Sequence, residues 1–164
     1  MLELRSTSLA DTHAVAASLA GLCRAGDLVV LGGEMGAGKT AFAQGFGRSL
    51  GITEPITSPT FTLVHSYDLP AGSTAAQLHH ADLYRLDRTT EVADLALEEL
   101  AEYRGIVLVE WGDVVEAMFG DHLLVHLEQD LDEDDARNIE LSATGSSWAT
   151  RWSQIGDALE AWRC

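Results

Sequence analysis

The sequence predicts a single α/β domain over residues 1–164, with a mostly parallel central sheet flanked by helices and a β-hairpin insertion. Three observations carry that expectation. Apolar runs of strand length alternate with stretches of helical spacing along the whole chain. A glycine-rich turn, Gly33 to Thr40, joins one such run directly to a helical stretch. The length admits one compact core and leaves no room for a second catalytic domain, and no internal repeat or low-complexity segment divides it.

Leu2 to Arg5 reads as an edge strand. Leu9, Val15, Leu19 and Leu22 then mark an amphipathic helix, capped by Ser8 or Asp11. Asp27-Leu28-Val29-Val30-Leu31-Gly32 is a buried strand, and Thr40 to Leu50 is a helix with Phe42 and Phe46 one turn apart and Gly51 as its stop. Pro55 to Pro59 marks a loop. Phe61 to Tyr67 and Gln77 to Tyr84 alternate in polarity around Leu69-Pro70-Ala71-Gly72-Ser73, which predicts the hairpin. Thr90 to Tyr103 reads as an acidic helix, and Gly105 to Trp111 as a strand buried on both faces that ends on Glu110. His122 to Leu127 and Asn138 to Ser142 are the last strands, separated by the acidic loop Glu128 to Asp135. Trp148 to Trp162 closes the chain as a helix whose tryptophans pack inward.

Composition excludes several classes. With 46% hydrophobic and 22% charged residues and only three prolines, the chain is neither disordered nor collagenous. The apolar runs are too short for a membrane span, and Met1 to Arg5 lacks the basic and apolar regions of a signal peptide, so a cytoplasmic location is expected. Cys23 and Cys164 have no paired spacing and fit a reducing compartment. The formal net charge of −16 repels phosphate backbones, so RNA binding by this chain alone is not expected. Of its ten Lys and Arg residues a single one is lysine, Lys39.

That lysine sits in Gly33-Glu34-Met35-Gly36-Ala37-Gly38-Lys39-Thr40, which satisfies the GxxxxGK[ST] pattern between a strand and a helix. Glycines allow the backbone to wrap an anion with its N–H groups, and the helix N-terminus adds the positive end of its dipole. Lys39 is predicted to reach the β and γ phosphates of a nucleotide and the Thr40 hydroxyl to ligate Mg²⁺. The fold class thus sharpens to a single-domain P-loop NTPase. A guanine-reading Asn-Lys-x-Asp element needs a second lysine, so ATP is favoured over GTP. Hydrolysis also needs an acid at the end of a neighbouring strand, and two candidates exist, Glu110 and Asp82 in His80-Ala81-Asp82-Leu83-Tyr84-Arg85. His79, His80 and Asp82 do not read as a zinc site, because adjacent strand residues face opposite sides.

These elements in this order, Gly33 to Thr40, Thr57-Ser58-Pro59-Thr60-Phe61-Thr62-Leu63-Val64, His80 to Leu86 and Glu110-Trp111, resemble the TsaE (YjeE) family of bacterial P-loop ATPases. The resemblance covers nearly the whole chain. It implies a role in threonylcarbamoyladenosine (t6A) modification of tRNA, in which TsaE binds a TsaB–TsaD complex and resets it by ATP hydrolysis, with tRNA engaged only through that complex. It also implies site residues. Gly33 and Met35 to Thr40 (Met35, Gly36, Ala37, Gly38, Lys39, Thr40) would bind ATP, with Arg137 near the nucleotide, and Thr40 with Glu110 would hold Mg²⁺. Lys39, Asp82 and Glu110 would be catalytic, Trp111 would pack beside the site, and Thr57, Ser58 and Thr60 would form a switch loop sensing the γ-phosphate. Two alternatives remain at this level: a small-molecule kinase, for which Arg85, Arg88 and Arg104 are the mid-chain lid candidates, and a non-hydrolysing nucleotide-dependent assembly switch.

Overall fold

The computed structural model describes residues 1–57, 64–83, 96–111 and 116–164. Among these, seven strands form one sheet in the order β1-β7-β6-β2-β5-β4-β3. The strands are β1 (Leu2–Ser6), β2 (Leu28–Gly32), β3 (Val64–Asp68), β4 (Gln77–Asp82), β5 (Gly105–Glu110), β6 (His122–Gln129) and β7 (Arg137–Thr144). The four central strands, β6, β2, β5 and β4, run parallel, and antiparallel neighbours finish both edges. Every residue of β2 and β5 is buried, as two-sided coverage of a parallel sheet requires.

Alternation divides the core between two faces. Val29, Leu31, Ile106 and Leu108 point to one side, where they meet helix α1 (Leu9–Ala20) and helix α2 (Lys39–Ser49) through Val15, Leu19, Phe42 and Phe46. Leu28, Val30, Val107 and Val109 point to the other, against Leu97 and Ala101 of helix α3 (Leu97–Glu102). Full burial of a side chain the size of Phe42 or Phe46 stabilises by about 2–3 kcal/mol. Ser8 caps α1 by accepting from the Asp11 amide at 3.0 Å, while Leu9 at the helix start faces solvent and not the core. After α2 the Ile52 and Gly51 amides return to the carbonyls of Gly47 and Arg48, so Gly51, at φ 96°, stops the helix as its position suggests.

Three expectations are revised. The closing helix is broken into α4 (Ser146–Ala149), α5 (Trp152–Ala158) and a 3-10 turn, Glu160–Trp162. The break falls at Arg151, whose guanidinium turns inward to Asp27 with two contacts of 2.7 Å. Trp148 beside it is buried, and Trp152 and Trp162 pack against the core. The acidic helix does not run unbroken to Tyr103, because Ala96 is left-handed at φ 50° and α3 begins only at Leu97. β6 runs two residues further than expected, to Gln129. The hairpin forms as β3 and β4; its outer parts, 61–63 and 84, and residues 90–95 of the acidic helix lie outside the described residues. Cys23 is buried and Cys164 exposed, and both are free. No helix among the described residues is long and apolar enough to cross a membrane.

Candidate functional site

β2 delivers the chain into the glycine-rich loop at the carboxyl ends of the parallel strands, where ligands of open α/β sheets bind. Gly33 has φ 127°, and a Cβ there would lie 2.2 Å from the Leu127 carbonyl oxygen of β6, so only glycine passes this point. Gly38, at φ 104°, then caps α2 without a side chain and leaves the positive end of the helix open.

Two cations hold the loop from different sides. Lys39 Nζ donates to the Gly33 carbonyl at 2.6 Å and to the Glu34 carbonyl at 2.7 Å. Arg137 of β7 donates through Nε to the Ala37 carbonyl at 2.9 Å, and through its terminal nitrogens to the carbonyls of Gly36, Asp134 and Ala136. In a trans peptide the carbonyl and the following N–H point in opposite directions. Drawing the Ala37 carbonyl towards Arg137 therefore turns the Gly38 amide the other way. Gly38 lines a cavity of about 330 Å³ together with Met35, Gly36, Lys39, Thr40, Ala41, Asp82, Glu110 and Trp111.

The acids come from neighbouring strands. Asp82 of β4 and Glu110 of β5 are register partners in a parallel pair, so both carboxylates lie on the face covered by α2. Thr40 Oγ1 donates to Glu110 Oε1 at 3.1 Å, and His80 Nε2 donates to Glu110 Oε2 at 2.5 Å. Glu110 and His80 are buried, whereas Asp82 is half-buried. Immediately after Glu110 the chain turns left-handed at Trp111, φ 66°, an uncommon conformation for a bulky residue. That turn folds the indole back over Lys39, with Nζ 3.8 Å from the ring centroid, a cation–π contact.

A threonine hydroxyl bonded to one carboxylate, with a second on the neighbouring strand and a lysine in a glycine-rich loop, has the donor set that suits Mg²⁺, which takes one or two carboxylates and fills its other positions with water and phosphate oxygens. His79 faces away from this site, as strand alternation requires, and accepts or donates a 2.7 Å hydrogen bond with Ser66 Oγ. Burial pushes the His79 imidazole below its ordinary value.

The structure thus brings together Met35, Gly36, Gly38, Lys39, Thr40, Asp82 and Glu110 around one cavity, with Gly33 and Ala37 in the loop that builds it. Arg137 grips the outside of the loop and does not line that cavity. Thr57 lines a different depression beside α2, with Gln44, Arg48 and Glu54. Ser58 and Thr60 lie outside the described residues, as do Tyr84, Arg85 and Arg88. Arg104 precedes β5 and so lies at the opposite end of the sheet from Lys39, in a cavity with the hairpin tip. Two pairings were not anticipated from the sequence, the His80–Glu110 bond and the Arg137 clamp. The first has a sequence signal, because His80 is two residues before Asp82 and therefore shares its face. The second has none, since Arg137 and Ala37 are a hundred residues apart.

The TsaE family model, described as threonylcarbamoyl adenosine biosynthesis protein TsaE, matches residues 6–139. The chain is 35% identical over 147 residues to the tRNA threonylcarbamoyladenosine biosynthesis protein TsaE of Bacillus subtilis, covering 90% of this chain and 89% of that one. It is 38% identical over 136 residues to the protein of the same name from Streptomyces coelicolor, covering 80% and 90%. The crystal structure of Bacillus subtilis YdiB superposes with a TM-score of 0.77 at 29% identity, covering 95% of this chain and 94% of that one. The match extends from the end of β1 into β7 and so takes in the glycine-rich loop, both acids and His80: the chain belongs to the TsaE family of threonylcarbamoyladenosine biosynthesis proteins.

Proposed function

We propose that this chain is a Mg²⁺-dependent ATPase serving the threonylcarbamoyladenosine modification of tRNA, and that it binds and resets a TsaB–TsaD complex. The observation that carries this reading is the placement of the chain's single lysine beside the Thr40–Glu110 contact, at the carboxyl ends of β2 and β5. Lys39 and the loop amides stabilise charge on the transferring phosphoryl group, and the α2 dipole adds to them. Thr40 and Glu110 would hold Mg²⁺, which supplies neutralisation of the phosphate oxygens. Asp82 lies on the same face with more solvent exposure and is the acid that orients the attacking water. Water adds to the γ-phosphorus, the bond to the bridging oxygen breaks, and ADP and phosphate leave.

The surface supports the division of labour. A chain of net charge −16 is a poor match for a polyanion, so tRNA is held by the partner complex. Phosphate release from ATP, measured for the chain alone and with TsaB and TsaD, tests the reading. Stimulation by the pair that is lost in Lys39→Ala is the expected result. Intact ATP binding without stimulation would favour an assembly switch or a kinase.

A further inference from the structure

His80 is the most thoroughly buried polar side chain near the site, at 0% exposure, and among the described residues one of its ring nitrogens has a partner and the other has none. Nε2 meets Glu110 Oε2, while Nδ1 is buried with no hydrogen-bond partner among the described residues. A carboxylate only accepts, so the proton of this bond is on Nε2. Burying an imidazole with one nitrogen unsatisfied is unfavourable, and a leucine in the same place would fill the space without that cost. Packing is therefore a poor explanation for a histidine here.

Glu110 explains it better. The carboxylate has two oxygens, each with a partner: Oε1 takes the Thr40 hydroxyl at the start of α2, and Oε2 takes His80 on the neighbouring strand. With Oε2 tied to β4, the carboxyl group cannot rotate about its last bond, and Oε1 stays aimed at Thr40. The anchor is itself rigid. His80 sits in β4 between β3 and β5, opposite His65 on one side and Leu108 on the other. His65 in turn stacks on Tyr67 with ring centroids 4.3 Å apart and shares a 3.0 Å hydrogen bond with the Tyr67 hydroxyl. Pairing on both sides thereby fixes the backbone of His80 in register with β5.

We propose that His80 is the positioning residue of the site, holding Glu110 through Oε2 so that Oε1 and the Thr40 hydroxyl together present a preformed pair of oxygen ligands to the divalent cation of a metal–nucleotide complex. This rests on the ATPase reading above. It adds a role for a residue that touches neither nucleotide nor metal. Outer partners of metal ligands typically change metal affinity by about 10–100-fold when removed.

The test compares His80→Leu, which keeps the volume and removes the donor, with His80→Gln, whose amide nitrogen occupies the place of Nε2. Nucleotide affinity is measured by equilibrium binding of ATP in chelator and across a Mg²⁺ titration. His80→Leu is expected to bind ATP in chelator within about 2-fold of wild type and to need about 10-fold more Mg²⁺ for the metal-dependent gain, with His80→Gln restoring most of it. In a Glu110→Gln background the same His80→Leu change should have no further effect on the Mg²⁺ requirement. An unchanged Mg²⁺ requirement in His80→Leu, or an equal loss in the Glu110→Gln background, would overturn the positioning role and leave the ATPase reading standing. If Leu is not accepted by the fold, His80→Asn, whose amide stops short of Glu110, carries the same expectation. Failure of wild type to bind ATP would overturn the nucleotide reading and this inference with it.

Discussion

At the amino end of β2, Asp27 receives both arms of Arg151 at 2.7 Å, and the same guanidinium reaches the carbonyls of Leu22 and Ser147 and stacks on Trp148. At the carboxyl end, Lys39 is held by two carbonyls and an indole, and Glu110 by a threonine and a histidine, with a cavity between them and Asp82. Both ends bury charge. The first pairs opposite charges face to face in a planar fork, with the remaining donors and acceptors taken up by backbone groups and Ser147. The second rests its cation on backbone carbonyls and an indole and Glu110 on a hydroxyl and an imidazole, around a cavity that both line together with Asp82. A closed ion pair ties the broken C-terminal helices to the sheet, whereas the constellation at the other end surrounds a cavity.

Four measurements break or sharpen that contrast, in order of decreasing effect. Arg151→Met leaves Asp27 buried without its counter-charge, held by the Arg24 amide, and should cost about 3–5 kcal/mol in urea unfolding. Much of that loss should return in the Asp27→Leu, Arg151→Met double variant. A loss below about 1 kcal/mol would remove the distinction between the two ends. Glu110→Gln should lower turnover about 10²–10³-fold with ATP binding largely retained, as loss of a transition-state interaction does. Equal losses in binding and turnover would mean that the acid is not specific to the reaction. Lys39→Ala should weaken ATP binding by about 10–100-fold, the loss of one charged hydrogen bond, yet shift unfolding far less than Arg151→Met. A large stability loss would make Lys39 structural, like Arg151.

The smallest effect is a pH drift. Burial holds His79 below its ordinary value near 6.5, and burial with the Arg48 charge does the same to His13. The unfolded chain therefore takes up protons first as pH falls, so this part of the stability is complete above about pH 6.5 and lost below it. Thermal unfolding followed from pH 7.5 to 5.5 should show a shallower decline in His79→Asn than in wild type. Parallel curves would assign the drift to other groups.

The strand–loop–helix around Lys39 was legible because its chemistry is local: a buried run, glycines where left-handed backbone is needed, and a lysine and threonine at the helix start are contiguous in the chain. Glu110 was legible as the acid ending an apolar run, and Asp82 as its alternative. Their adjacency was not, since it depends on β4 and β5 pairing in register. The closing helix was misread because helical spacing of tryptophans says nothing about a buried Asp27 drawing Arg151 out of the helix path.

The sequence by itself determined the α/β alternation, the glycine-rich strand–loop–helix, the acidic net charge and the membership of this family, because each rests on residues close together or on sums over the chain. Only the tertiary structure decided which acid stands beside which, that His80 anchors Glu110, that Trp111 covers Lys39 and that Arg137 braces the loop from outside. The His80–Glu110 and Arg137–Ala37 contacts join residues 30 and 100 positions apart. Strand order and register set them, and no periodicity along a chain encodes which strand lies next to which.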